Sequence, residues 1–524
     1  TDQNAQRYLS STGQHSEFAT AFLHSGNDTL DASATSGGVV LYGGAGDDLL
    51  RGGSGQDLLL GGGGDDRLFG NAGDDTLLGD QGLNLNGNAR IDVLPVDSET
   101  GATLARVLVT LPSASEAVIA SGSGDLLVAG SDILQGNNGV DWLVGDYAQI
   151  IETHSWLWGR LVGYNTQELY YFETQDNTLG ADDILQGGNG ADILVGGGGA
   201  DTITGDIDWS TGFGNDLVLG DFGRFDFQYG DDTNSATLDL VTAVSSSAEG
   251  NDIITTGRGA DIVIGGGGSD VISTAEGSQG EKDNDLVLGD QGTVLYGELK
   301  TTVTAVYYAT AGADIIDLGN GNNIAIGGAG EDDIRSGTGD DLLIGDHAVL
   351  ESDRYSSVTE SLITTDSGEF APGANDVILA GSGDNVIAGG TGNDLILSGL
   401  GRDVVAGDQA QFLWNSDAIL VSAKTLTWAA DHQEAGDYIS TSIISDSLLL
   451  SAGLQIGERA LTSSVPASEI NLNSAYFAGA DRTADNNVVL GGAGFDEIIS
   501  GSGVDLVAGD FGEFTWTTEG VITA

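Results

Sequence analysis

The stretch from Gly43 to Gly82 constrains this chain more than any other. It reads GGAGDDLLR, GGSGQDLLL, GGGGDDRLF and GNAGDDTLL, followed by GDQG. Nine-residue units run in tandem, with Asp48, Asp57, Asp66 and Asp75 in register. Two residues after each Asp stands an apolar side chain: Leu50, Leu59, Leu68 and Leu77. Glycine permits φ > 0 and close backbone approach, so the first six residues of each unit read as a turn. The last three read as a short strand whose apolar residue points inward. Two turns and two strands close one coil of a flattened parallel solenoid, and coils stack at roughly the 4.8 Å strand spacing.

Turns two units apart then lie one above the other, with Asp carboxylates and turn carbonyls facing a shared gap. Calcium is a hard cation that takes about 6–8 oxygens at roughly 2.3–2.6 Å, and this gap offers only oxygens. A single unit could equally be a solvated Gly/Asp-rich loop; four in phase, each with its apolar residue, favour calcium. The same position recurs along the chain. The candidate calcium ligands are Asp48, Asp57, Asp66, Asp75, Asp132, Asp141, Asp183, Asp192, Asp201, Asp252, Asp261, Asp270, Asp314, Asp332, Asp341, Asp376, Asp394, Asp403, Asp496 and Asp505. Block two also carries Asp125, a half-unit stands at Asp216, and Asp285 follows a loop in block four. At Asn323, Asn385 and Asn487 the ligand loses its charge, so those sites should be weaker.

The 79 acidic residues face only 16 basic ones, a net charge of −63. Nucleic acid is excluded as a partner, because phosphate binding needs Lys and Arg, and docking on anionic membranes is disfavoured. Such charge can signal disorder, but 40% of the chain is apolar and periodically placed. Crowded carboxylates need counterions, and on the order of 10–20 Ca²⁺, one per pair of stacked turns, would neutralise much of the charge. Cysteine and methionine are both absent. Disulfides and thiol chemistry are therefore excluded, and the missing initiator suggests a processed product or a piece of something longer. No apolar run approaches the ~20 residues of a membrane span. The start, TDQNAQRYLS, lacks the apolar core of a signal peptide.

A longer period overlies the shorter one. Blocks of nonapeptides close with Gly-Asp, at Asp80, Asp146, Asp206, Asp221, Asp290, Asp346, Asp408 and Asp510. Each such Asp reads either as a corner cap on the backbone or as a calcium ligand of the last coil, the cap being favoured. Alternating stretches usually follow, as in 222–227, 291–296, 409–414 and 511–516. Residues 104–111, 236–244 and 299–307 alternate similarly, and two runs flanking YGDDTNS in 224–244 predict a hairpin. All four prolines lie in inserts or at a block edge, where no ladder donor is needed.

The organisation expected is an N-terminal segment 1–25, with a short helix around Glu17 to Leu23, and then seven roll blocks at 26–82, 120–146, 180–221, 250–290, 312–346, 373–410 and 479–510. β inserts fill 83–119, 147–179 and 347–372, hairpins fill 222–249 and 291–311, and a strand closes the chain at 511–524. The long insert 411–478 reads as a lateral β-domain whose exposed strand would offer an edge to a neighbouring molecule. The fold class is all-β: a calcium-binding parallel β-roll, or β-solenoid, of nonapeptides with β-hairpin insertions.

Catalytic chemistry finds little footing. Histidines at 15, 24, 154, 347 and 432 share no ligand or triad spacing, and zinc lacks its usual donors. No Gly-Lys-Ser/Thr follows the glycine strings, so they are not phosphate loops. Acid pairs such as Asp47-Asp48, Asp65-Asp66, Asp74-Asp75 and Asp182-Asp183 could suggest glycosidase carboxylates, but they repeat at equivalent positions whereas an active site is singular. No enzyme is expected. Aromatics concentrate in the inserts, among them Trp156, Tyr171, Phe225, Tyr307, Trp414 and Trp516. They read as packing of the arms on the roll, or as a surface for sugar or self-association.

The nonapeptides resemble the RTX (repeats-in-toxin, haemolysin-type) calcium-binding family over most of the chain. The longer module, with closures such as LVLGDQG and LLIGDHA, looks like very large bacterial extracellular repeat proteins of that family. The resemblance implies secretion through type I export, unfolded in calcium-poor cytoplasm, with folding outside. Nothing resembling a toxin, protease or lipase domain accompanies the rolls, nor does the usual C-terminal export region. The expected function is an extracellular structural unit of a filament, sheath or surface matrix, with itself as partner and a surface polysaccharide as a further possible one. An adhesin or its extender, and the carrier region of a secreted enzyme or toxin, are the alternatives.

Overall fold

The computed structural model describes residues 26–80, 104–109, 129–146, 148–157, 160–163, 169–174, 180–206, 214–226, 238–275, 283–296, 300–305, 310–353, 358–364, 374–415, 420–426, 438–440, 487–491, 496–500, 505–509, 513–516 and 522–523. The helix expected near Glu17 and the unit at Asp125 lie outside them. All the described elements are strands. The chain forms two compact units, Thr1–Ile262 and Val263–Ala524.

In the first unit, a parallel sheet A contains Thr29–Asp31, Leu49–Arg51, Arg67–Ala72, Ile133–Asn138, Ile184–Asn189, Thr202–Asp206 and Ile253–Thr255, in that order. Sheet B, also parallel, contains Val40–Ala45, Leu58–Gly63, Thr76–Leu78, Trp142–Val144, Ile193–Val195 and Leu217–Leu219. The chain alternates between the sheets, one nonapeptide per crossing, which is the coil that the nonapeptide period predicts. Register is strict: Leu50 pairs with Leu68, Leu68 with Leu134, Leu134 with Leu185, and Leu185 with Ile203. On the other sheet Leu59, Leu77, Leu143, Leu194 and Val218 form the matching column. Each of these side chains is fully or almost fully buried, a contribution of roughly 1.5–3 kcal/mol apiece.

The second unit repeats the plan. Its sheet A runs Val271–Ser273, Ile315–Asp317, Asp333–Arg335, Val377–Leu379, Leu395–Leu397, Tyr438–Ser440 and Glu497–Ile499. Its sheet B runs from Ile262–Gly266 through Leu286–Asp290, Ile324–Ile326, Leu342–Ile344, Val386–Gly390, Val404–Asp408 and Val488–Leu490 to Leu506–Ala508. One sequence expectation is corrected here. Tyr438–Ser440, inside the stretch read as a lateral insert, is a rung of the roll, paired in parallel with both Leu395–Leu397 and Glu497–Ile499. The segment AGDYIS is a nonapeptide remnant, with Gly436 and Asp437 ahead of the strand.

Every described arm leaves the roll after a sheet B strand, and all but the last, 513–523, lead back into a sheet A strand, so the arms share one edge of the roll. There they pair with one another in an antiparallel arm sheet. In the first unit the order is Arg160–Gly163, Ala148–Leu157, Leu169–Thr174, Gly223–Asp226 and Leu240–Ala243, with Leu104–Val109 also on Ala148–Leu157. The predicted 224–244 hairpin is present, Phe225 facing Val241 in register. In the second unit the order is Gly292–Tyr296, Lys300–Ala305, Ala348–Asp353, Val358–Thr364, Ala410–Asn415, Leu420–Thr425, Glu513–Trp516 and Ile522–Thr523. Leu420–Thr425 therefore has partners on both sides and is no open edge. Leu448, Leu449 and Leu450, a further apolar run of this insert, lie outside the described residues.

Alternation in the arm sheet decides which face meets the roll. Phe225, Val241, Val294, Val303, Phe412 and Ala423 are buried, while Arg224, Thr242, Thr293, Thr302, Gln411 and Ser422 between them are partly open. The ring of Phe225 stands edge-on to Trp142 of sheet B, centroids 6.3 Å apart, so at this point an arm aromatic packs on the roll.

Candidate metal centre

Two rows of turns flank the sheets, one on the arm-bearing edge and one on the opposite edge. In each row the Asp of one coil holds the turn of the coil before it. Asp48 N–H donates to Asp66 Oδ1 at 2.7 Å, Asp66 N–H to Asp132 Oδ1 at 2.7 Å, and Asp132 N–H to Asp183 Oδ1 at 2.7 Å. The opposite row runs likewise from Asp57 to Asp75, Asp141, Asp192, Asp216 and Asp261, at 2.8–2.9 Å. One oxygen of each carboxylate is thus spent on backbone. The glycines supply the turn: Gly44 and Gly46 have φ of 116° and 118°, and Asn71 and Asn137, at 79° and 83°, stand in for glycine as Asn can.

The second oxygen is the informative one. Among the described residues, Oδ2 of Asp48, Asp66, Asp75, Asp132, Asp141, Asp183, Asp192, Asp201, Asp216, Asp332 and Asp376 is buried and receives no hydrogen bond. Each of these side chains is at most 2% exposed. A buried carboxylate oxygen without a donor costs several kcal/mol unless a cation meets it. A glycine cradle lies in front of most of them. A Cβ on Gly43 would sit 2.3 Å from Asp48 Oδ2 and 2.6 Å from the Gly61 carbonyl oxygen. Gly61 faces Asp66 Oδ2 and the Gly79 carbonyl, Gly327 faces Asp332 and Gly345, and Gly389 faces Asp394 and Gly407 in the same way. Acceptor faces acceptor across a space that no side chain fills. That is an oxygen donor set for a hard cation. Among the described residues no group of three His, Asp or Glu side chains converges on one point, so backbone carbonyls must complete each shell.

The charge balance agrees. Burial, reinforced by neighbouring carboxylates, pushes Asp66 up to about 8 and Asp132 to about 9, against backbone hydrogen bonds that pull the other way. Burial likewise raises Asp141 to about 9 and Asp75 and Asp192 to about 7, and it places Asp183, Asp201, Asp332 and Asp376 well above the carboxylate range. Burial thus favours the protonated form of Asp66, Asp132 and Asp141 at neutral pH, and a cation among them favours the ionised form.

The Gly-Asp corners resolve into two functions. The corner glycine is the first residue of a turn that the arm interrupts: Gly79, Gly145, Gly289 and Gly345 cradle Asp132, Asp183, Asp314 and Asp376 across the insertion. At five corners the Asp caps backbone, whereas both carboxylate oxygens of Asp206 are buried without a hydrogen bond. Asp80 accepts from Gly130 N–H at 3.0 Å, Asp146 from Gly198, Asp221 from Gly250 at 3.1 Å, Asp290 from Gly312 and Ala329, and Asp346 from Thr391. The glycine two residues on lets the arm cross the roll closely, since a Cβ on Gly223 or Gly292 would strike Leu219 or Leu288. The outer member of each acid pair has its own work: Asp47, Asp74 and Asp182 accept N–H groups of Asp65, Val140 and Ala200.

Of the other predicted ligands, Asp252, Asp261, Asp270, Asp314, Asp341, Asp394 and Asp403 are buried in the same rows, while Asp496 and Asp505 are half-buried. Asp57 also accepts Gly53 N–H through Oδ2, at 2.5 Å. Asp341, Asp403 and Asp505 have Ser336, Ser398 and Ser500 where the cradles have glycine. Asp216, which reads from sequence as a half-unit, and Asp285, which follows a loop, are full members of the opposite row. Their D-L-V-L continuation was the signal.

Fold and site together define a calcium-binding parallel β-roll. The model of the RTX calcium-binding nonapeptide repeat matches residues 24–59, 52–85, 128–146, 178–208, 247–278, 308–343, 373–405 and 481–513. The chain belongs to the RTX calcium-binding repeat proteins, and calcium is its ion. No curated protein matches the chain.

Proposed function

We propose that this protein is a structural unit of an extracellular, calcium-stabilised filament, sheath or surface matrix, mechanical rather than catalytic. The observation that carries the reading is the double tie between successive modules. Within each unit neighbouring modules pair once through the roll sheets and again through the arm sheet. A chain joined twice per module resists bending more than a roll alone, and nearest-neighbour stacking extends without a set length. RTX repeats are typical of secreted bacterial proteins, and outside the cell free calcium is high enough to fill such sites. The same stiffness suits an adhesin extender, so assembly distinguishes the two.

Electron microscopy and light scattering of the full chain, with calcium and with chelator, test the proposal. Calcium-dependent fibres support it. A chain that stays monomeric from micromolar to millimolar concentration in saturating calcium removes it, in favour of an extender or carrier. Excising the whole of 411–478 is a poor assembly test, because it also removes the roll rung at Tyr438–Ser440.

A further inference from the structure

The row of turns opposite the arms in the second unit is built differently from the rest. Its members are Asp285, Asn323, Asp341, Asn385, Asp403, Asn487 and Asp505, each backbone N–H donating to the Oδ1 of the next at 2.9–3.1 Å. Asp and Asn alternate without a break. In the arm-bearing row of the same unit, Asp270, Asp314, Asp332, Asp376 and Asp394 follow one another with no Asn.

The alternation changes what faces the cradle. Where no insertion intervenes, the carbonyl thirteen residues after the Asp belongs to glycine and opposes Oδ2, as Gly345 opposes Asp332. Thirteen residues after Asn323, Asn385 and Asn487 stand Ser336, Ser398 and Ser500. Asn385 Nδ2 donates to the Ser398 carbonyl at 3.0 Å, and Asn487 Nδ2 donates to the Ser500 carbonyl at 3.2 Å. The Ser398 hydroxyl in turn donates to Asp403 Oδ2 at 2.7 Å. Asn323, with Ser336, has the residue pair without the bond, its Nδ2 making no hydrogen bond among the described residues. The amide orientation at Asn385 and Asn487 is not arbitrary: Oδ1 must accept the neighbouring coil's N–H, which leaves Nδ2 facing the carbonyl. An N–H₂ group cannot ligate calcium, and the carbonyl and carboxylate that would ligate it are already taken.

We propose that the Asn385 and Asn487 turns are closed by side-chain hydrogen bonds in place of calcium, so that this unit has one calcium-dependent edge and one edge with calcium-independent turns. The proposal rests on calcium filling the Asp–Gly cradles. At Asn385 and Asn487 the residues do not fit the ion, and the serine on the neighbouring strand end is the complement that makes the fit unnecessary. Those two turns stay registered when calcium is low.

The test counts calcium per chain by elemental analysis of the gel-filtered full-length protein. Ala380 and Arg482 stand five residues before Asn385 and Asn487, where the cradles have glycine. Restoring the cradle with Asn385→Asp plus Ala380→Gly should add one bound calcium per chain, and Asn487→Asp plus Arg482→Gly should do the same independently. The reverse exchange on the other edge, Asp332→Asn, should remove one. Unchanged counts in both restored variants, with the reverse exchange still losing one, would mean that the Asn turns already hold calcium and would overturn the proposal alone. Unchanged counts in all three would overturn the cradle reading with it. If one restored variant fails to fold, the other decides.

Discussion

Gly61→Ala places a methyl where the cation is argued to bind. The new Cβ would lie 2.3 Å from Asp66 Oδ2 and 2.4 Å from the Gly79 carbonyl oxygen, where contacts under 3.0 Å essentially never occur. Both oxygens would have to retreat by about 1 Å or more to reach ordinary contact. Asp66 cannot yield freely, because its Oδ1 holds Asp48 N–H at 2.7 Å. Gly61 is not among the residues with positive φ, so the substitution adds no left-handed strain of its own. A site filled at 100 times its Kd contributes about 2.7 kcal/mol through linkage, and that contribution should vanish. The control is Gly37→Ala, whose Cβ meets nothing within 4 Å. Calcium per chain by elemental analysis should fall by one relative to the control, and the urea midpoint in saturating calcium should fall with it. A full complement of calcium with the midpoint of the control would refute the placement of the ion between Asp66 and Gly79.

Leu68→Ala empties a fully buried position between Leu50 and Leu134 and should cost about 2–5 kcal/mol by chemical denaturation in calcium, whereas Ile253→Ala, at a 52% exposed side chain, should stay within about 0.5 kcal/mol. Asp346→Ala removes the acceptor for both the N–H and the hydroxyl of Thr391 and should cost about 1–3 kcal/mol without changing the calcium count; a lost ion would make that corner a ligand rather than a cap. Burial raises Asp66 to about 8 and Asp132 to about 9 from an ordinary value of 3.8, so between about pH 4 and 8 the folded roll holds protons that the unfolded chain has released. Without calcium, stability should therefore fall as pH rises through that window, and calcium, which displaces those protons, should bind more weakly at pH 6 than at pH 8. Equal calcium midpoints by circular dichroism at the two pH values would contradict this.

The roll was legible because its signal is local and repeated. Asp at one position and an apolar residue two on state both the turn and the buried column, and Leu50, Leu59, Leu68 and Leu77 stand where the period puts them. The arms were legible as strands from their alternation, but not all their partners: that Ala348–Asp353 pairs with Lys300–Ala305 depends on contact across a whole intervening block of the roll. The rung at Tyr438–Ser440 was hidden because a single remnant unit inside a long insert lacks the repetition that identifies the others. The reason for Gly-Asp-x-Gly emerged only with the roll in place, since Gly223 and Gly292 matter for what lies beneath them. Asn in place of Asp reads from sequence as a weaker ligand; its pairing with a serine thirteen residues on has meaning only once the coil brings the two together.

The most direct measurement is a calcium anomalous difference map from crystals grown in millimolar calcium. Peaks should stand between Asp48 Oδ2 and the Gly61 carbonyl, between Asp66 and Gly79, between Asp332 and Gly345, and between Asp376 and Gly389, with none at Asn385 or Asn487. A well-ordered roll with those Asp–Gly cradles empty of anomalous density would contradict the account.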